Sequence, residues 1–154
     1  MKIMFVCTGN ICRSPTAEAV LRHKAQDLGK VAEIDISSSG THGYHIGEKP
    51  DPRAVRYAQK RGIDMSGLYA QKIEQSDFED YDLLVAMDRG HYSHLEKLQP
   101  QGGLAEIKLF SDYLTNYNTS DIPDPYYGGD EGFDIVLDMV EEGCDAMLKS
   151  ITNT

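Results

Sequence analysis

The chain has 154 residues, 40% of them hydrophobic and 26% charged, three cysteines and a formal net charge of −10. That length and balance describe one globular domain able to bury a core, and exclude a disordered chain, a collagen-like repeat and a disulfide scaffold. Such acidity argues against nonspecific binding to nucleic acid or to an anionic membrane, which needs clustered Lys and Arg, and no apolar run approaches the roughly 20 residues of a membrane span.

Lys2 to Val6 reads as a short buried strand. It is too brief an apolar stretch before Thr8, Gly9 and Asn10 for a signal peptide, so the cytoplasm is the expected location. Pro15 suits the first turn of a helix running to about Gly29, with Leu21, Ala25 and Leu28 on one face. Ala32 to Ser37 reads as a second strand, Gly40 to Pro52 as a long loop, and Pro52 to Arg61 as a helix closed by Gly62. Asp82 to Met87 follows as a buried strand, Arg89 to Leu98 as a helix and Ile107 to Phe110 as a last short strand. Ser111 to Gly129 is polar and irregular. The final helix, Glu131 to Ile151, keeps Phe133, Val136, Leu137, Val140, Cys144, Met147, Leu148 and Ile151 on one apolar stripe, which makes Cys144 a packing residue. Alternating strands and helices imply an α/β fold: a single three-layer domain with a central four-stranded parallel sheet and helices on both faces. In such sheets ligands bind at the carboxyl ends of the strands.

The turn after the first strand carries the chemistry. Cys7-Thr8-Gly9-Asn10-Ile11-Cys12-Arg13-Ser14 sets a thiol and a guanidinium six residues apart between a strand and a helix. Converging backbone N–H groups, a helix start and an arginine fork suit one tetrahedral oxyanion such as phosphate. Positive surroundings of that kind favour a thiolate nucleophile, to which Ser14 can donate a hydrogen bond. In-line attack of Cys7 on a phosphomonoester would form a phosphocysteine, with the loop and Arg13 holding the equatorial oxygens, and the chemistry calls for no metal or cofactor. The spacing of Cys7 and Arg13 alone recurs by chance; the strand, the helix, Gly9, Asn10 and Ser14 give it weight. Neither G-x4-G-K-[ST] nor G-x-G-x-x-G occurs at this turn. Asp124, stiffened between Pro123 and Pro125, is a candidate general acid for the leaving group, or simply a turn residue. Tyr126 and Tyr127 are candidate walls for an aromatic slot, or plain surface residues. His91 and His94, three apart without a completing ligand pattern, read as surface residues.

Val6 to Pro15 and Asp124-Pro125-Tyr126-Tyr127 resemble the low-molecular-weight protein tyrosine phosphatases. Ser38-Ser39-Gly40-Thr41, His45-Ile46-Gly47, Asp51-Pro52-Arg53 and Ala86-Met87-Asp88 match as well, so the likeness spans essentially the whole chain. It implies Cys7 as nucleophile, Arg13 as phosphate clamp, Asn10 and Ser14 as residues that shape the loop and steady the thiolate, and Asp124 as general acid. It further implies that Cys12 can pair with Cys7 under oxidation, that Thr8, Gly9, Asn10, Ile11, Cys12 and Ser14 cradle the substrate phosphate, and that the partner is a phosphotyrosine protein such as a bacterial tyrosine kinase. Two positions depart from the family pattern. Tyr44 stands where many relatives have Trp, and Leu68 stands where a His helps brace the loop Asn, which implies weaker support for Asn10 here. Two other readings are an arsenate reductase and a noncatalytic phosphoprotein-binding module. The reductase needs two later cysteines, and only Cys144 follows Cys12; a binding module needs neither Cys7 nor Asp124.

Overall fold

In the computed structural model, which describes residues 1–152, four strands lie in one all-parallel sheet: β1 (Lys2–Cys7), β2 (Asp35–Gly40), β3 (Leu83–Ala86) and β4 (Glu106–Leu109), in the order β2-β1-β3-β4. The central strands β1 and β3 are apolar on both faces, as a strand covered by helices on each side must be. Ile3, Phe5 and Cys7, with Leu83 and Val85, face one core. Met4, Val6, Leu84 and Ala86 face a second.

The first core is closed by helices α1 (Arg13–Asp27), α2 (Pro52–Lys60) and, after the last strand, α5 (Glu131–Thr152). The second core is closed by the four-residue α3 (Asp77–Asp80) through Phe78 and by α4 (Arg89–Leu98) through Leu95. The α/β architecture read from the sequence therefore holds, with helices on both faces.

Three details differ. The second strand lies later than Ala32–Ser37, because Val31–Glu33 forms a 3-10 turn and the serines pair with β1 through Cys7 and Gly40. Those serines carry no apolar signal because their hydroxyls serve the interior hydrogen bonds described below. Leu28 is not on the buried face of α1: the helix ends at Asp27, Gly29 turns at φ 68°, the Lys30 N–H closes on the Ala25 carbonyl, and Leu28 is left exposed. Helix α3 had no sequence signal, since a single buried Phe78 among acidic residues shows no period.

Gly143 lies where α5 crosses Phe110, which is fully buried beside Phe5; a Cβ at position 143 would fall inside van der Waals contact of the Phe110 ring. Gly143→Ala gains up to about 1 kcal/mol of helix propensity, yet it should lower unfolding free energy by about 1–3 kcal/mol through overpacking. Urea denaturation of the two proteins measures the sign.

Candidate active site

Strands β2 and β3 flank β1 on opposite sides, so the loops leaving β1 and β3 diverge and open a crevice at their carboxyl ends. Backbone hydrogen bonds join these ends: the Thr41 N–H donates to the Cys7 carbonyl at 2.8 Å, His42 to Thr8 at 3.0 Å, and Met87 to Val6 at 3.0 Å. Gly40 is required at this seam, for a Cβ there would stand 2.6 Å from the Thr8 carbonyl oxygen.

From Cys7, the last residue of β1, the chain circles through Thr8 to Cys12 before entering α1. Asn10 takes the left-handed conformation, φ 60°, which Asn tolerates better than most residues. Its buried side chain is anchored on every atom: Nδ2 donates to Ser14 Oγ at 2.8 Å and Ser38 Oγ at 2.9 Å, while Oδ1 accepts from the Gln71 N–H at 2.9 Å. Ser38 in turn donates to Glu18 at 2.7 Å, and Glu18 is ion-paired with Arg22. The weaker support expected from Leu68 is therefore not found. The neighbouring segment reaches Asn10 through its backbone, which no side-chain pattern records, and Leu68 packs against the first core instead. Ser14 Oγ lies 3.0 Å from Cys7 Sγ and 3.3 Å from the Ser39 carbonyl. Ser14 has one proton, for which the Ser39 carbonyl and the sulfur compete: a Cys7 thiol can donate to Ser14, whereas a Cys7 thiolate can only accept and draws the proton to itself.

Arg13, in the first turn of α1, is only 4% exposed. Its Nη1 donates to Asp88 Oδ2 at 2.8 Å and to the Ile122 carbonyl at 3.1 Å, and its Nη2 faces Asp124 Oδ2 at 3.5 Å. Asp88 also caps α4, its Oδ1 accepting the His91 N–H at 2.9 Å. His91 is not a surface residue: it is 4% exposed, with Nε2 2.8 Å from Thr8 Oγ1. Its Nδ1 stands 3.1 Å from Asp88 Oδ1, too far off line for a hydrogen bond. A proton on Nδ1 faces that carboxylate, whereas a lone pair there would be repelled, so Nε2 accepts from the Thr8 hydroxyl. Burial, and next the Arg13 charge, push the His91 imidazole down to about 4, against the pull of Asp88 and Asp124. His94, also expected at the surface, is half-buried.

One hollow is lined by Cys7, Thr8, Gly9, Ile11, Cys12, Arg13 and Asp124, with Tyr44, His45, Tyr126 and Tyr127 around them. Asn10 and Ser14 lie behind the loop and do not line it. Tyr44 and Tyr127 are 70% and 86% exposed at the rim, Tyr44 stacking on His42 and Tyr127 meeting Tyr126 edge-on. His45 had no assigned role in the sequence, but its ring packs where a Cβ on Gly9 would sit. Asp51 and Arg53 were likewise only part of a pattern. Here Asp51 caps α2, and Arg53 pairs with Asp51, bonds the Tyr126 carbonyl and lies over the Tyr126 ring. Burial first, then Asp51, Cys7 and Asp124, push the Cys12 thiol far up, so Cys12 is held as a thiol. All three cysteines are free. Among the described residues, no three His, Cys, Asp or Glu side chains converge as metal ligands.

The family model described as low molecular weight phosphotyrosine protein phosphatase matches residues 2–154. A low molecular weight phosphotyrosine protein phosphatase of Schizosaccharomyces pombe is 40% identical over 152 residues, which cover 98% of this chain and 97% of that protein. A protein tyrosine phosphatase of Entamoeba histolytica, solved with Hepes in its active site, superposes with a TM-score of 0.95 at 35% identity, covering 99% and 97% of the two chains. A Drosophila arginine phosphatase superposes with a TM-score of 0.90 at 29% identity, covering 98% of each chain.

With its folded value lowered from 6.5 to about 4, His91 binds fewer protons folded than unfolded between those limits. Its contribution to stability is complete above about pH 6.5 and is lost as pH falls toward 4. Denaturation across that range should show a shallower loss for His91→Gln than for the wild type, and the His91 ring protons should not titrate above about pH 5 by NMR.

Proposed function

Because the chain belongs to the low molecular weight phosphotyrosine protein phosphatase family, we propose that it hydrolyses phosphotyrosine in proteins through a covalent phosphocysteine on Cys7, the whole chain acting as one catalytic domain. The observation that carries the mechanism is the meeting of Cys7, a buried Arg13 and Asp124 in one hollow, with Arg13 Nη2 3.5 Å from the Asp124 carboxyl.

The phosphate of the substrate enters against the loop, where the backbone N–H groups of Thr8 to Arg13 and the fork of Arg13 hold its three non-bridging oxygens. Cys7 Sγ attacks phosphorus in line. The S–P bond forms as the P–O bond to the phenol breaks, and Asp124 gives its proton to the departing oxygen. Ser14, supported by Asn10, donates to the sulfur and steadies it as nucleophile and later as leaving group. Asp124, now a carboxylate, takes a proton from water; that water attacks phosphorus, the S–P bond breaks, and inorganic phosphate leaves.

The phosphorylated side chain is chosen by the walls. Ile11 and the rings of Tyr44 and Tyr126 border the entrance, and apolar and aromatic surfaces suit the flat face of a phenyl ring rather than a short serine. A shared fold does not make that choice, as the superposition on an arginine phosphatase indicates. No helix among the described residues is long and apolar enough to cross a membrane. A reducing cytoplasm, in which Cys7 stays a free thiol, suits this chemistry.

Turnover of matched phosphotyrosine, phosphoserine and phosphoarginine peptides, with reductant present, tests the reading. Phosphotyrosine should be the preferred substrate. Cys7→Ser should abolish its hydrolysis, and Asp124→Asn should lower kcat by about 10²–10⁴-fold. A Cys7→Ser protein that keeps its rate would sink the mechanism; a phosphoarginine preference would correct the substrate and leave the mechanism standing.

A further inference from the structure

A second hollow adjoins the first. The two share Thr8, and the second continues past Thr41 and His42 to His91 and His94. Between them stands Tyr44, its ring stacked on His42 with centroids 5.1 Å apart. His94, on α4, lies beside His42 at 5.9 Å between centroids. Lys72 and Lys97 complete the cluster. Burial first, then the charges of His42, Lys72 and Lys97, hold the His94 imidazole below its ordinary value.

The charge of this cluster is not compensated. Every arginine of the chain has an acidic partner. Lys72 and Lys97 are exposed, and among the described residues neither they nor His42 nor His94 makes an ion pair. The one carboxylate lining the second hollow, Asp88, is already engaged by Arg13 and by the His91 N–H. In a chain of net charge −10, Lys72 and Lys97, without acidic partners beside the catalytic entrance and next to the His42 and His94 rings, form a local field of the opposite sign.

We propose that this flank is a subsite for a second anionic group, borne by a residue next to the phosphotyrosine in the substrate protein. The proposal rests on the phosphotyrosine reading of the first hollow. An extended chain advances about 3.3–3.6 Å per residue, so a side chain one to three positions from the tyrosine reaches across Tyr44 while the phosphate sits on the loop. The shared chemistry is a negative charge with oxygen acceptors, supplied by a glutamate or aspartate or by a second phosphotyrosine. The substrates selected are then acidic or multiply phosphorylated tyrosine segments, whereas basic segments are rejected. Rim charges of this kind act mainly on encounter, so the preference lies in kcat/KM and weakens with salt.

The test compares four phosphotyrosine peptides whose flanking positions carry glutamate, a second phosphotyrosine, alanine or lysine, with p-nitrophenyl phosphate as a substrate that has no flank. For the wild type at low salt, kcat/KM should be about five-fold higher for the glutamate peptide than for the alanine peptide, higher again for the doubly phosphorylated one, and lowest for lysine. At about 0.5 M ionic strength the differences should collapse. Lys97→Glu, and separately Lys72→Glu/Lys97→Glu, should remove or invert the order while turnover of p-nitrophenyl phosphate stays unchanged. A preference confined to the second phosphotyrosine restricts the ligand to phosphate and overturns the carboxylate arm. Equal kcat/KM for all peptides, or an acidic preference that survives both variants, overturns the subsite while the phosphatase reading stands. No turnover of p-nitrophenyl phosphate overturns that reading and the subsite with it.

Discussion

A guanidinium that is only 4% exposed must have its charge met inside the fold, and the carboxylate that meets Arg13 comes from across the sheet crevice. Leaving such a charge unpaired would cost several kcal/mol. The pairing therefore does more than neutralise. Asp88 joins the end of β3 to the start of α1, caps α4 with its second oxygen and orients His91, which reaches back to Thr8. Arg13 also bonds the Ile122 carbonyl, and the Ile122 N–H donates to Met87, so the segment leading to Asp124 is tied to the same centre. One buried cation thus sets the position of the loop, of α4 and of the candidate acid together.

The loop itself is shaped by a second set of polar contacts. The tight circle from Cys7 to Arg13 includes an unusual backbone conformation, and Asn10 supplies it at φ 60°. That conformation persists because the buried amide is held by Ser14, Ser38 and the Gln71 N–H. Serines in β2 look wasteful in a sheet, yet Ser38 and its partner Glu18 extend the network, and a buried polar network that is fully satisfied fixes a unique geometry. The glycines at the seam act by size: Gly40 lets two backbones approach, and Gly9 makes room for His45.

Charge is distributed unevenly over the molecule. The chain is strongly acidic, yet the entrance gathers Arg13, Lys72 and Lys97 among four histidines, His42, His45, His91 and His94. An anion approaching such a surface is repelled broadly and attracted locally, which favours arrival in the productive orientation. His91, close as it is to Arg13, is kept neutral by its burial and does not add to that field near neutral pH.

Much was legible in the sequence because it is local. The loop from Cys7 to Ser14, the proline-flanked Asp124, the α/β order and the long stripe of α5 depend on residues close together in the chain, whose spacing and periodicity carry the information. The tertiary structure alone decided what lies between distant segments. Asp88 was visible as a residue but not as the partner of Arg13, 75 positions away. His91 read as surface because a helix period cannot report that its ring is buried against the Thr8 hydroxyl, 83 positions away. Asn10 is held without a histidine at position 68, in part by a backbone N–H from Gln71, and every residue but proline carries such a donor. Local pattern determined which chemistry the chain carries; burial and long-range pairing, which only folding creates, determined how its charges are held.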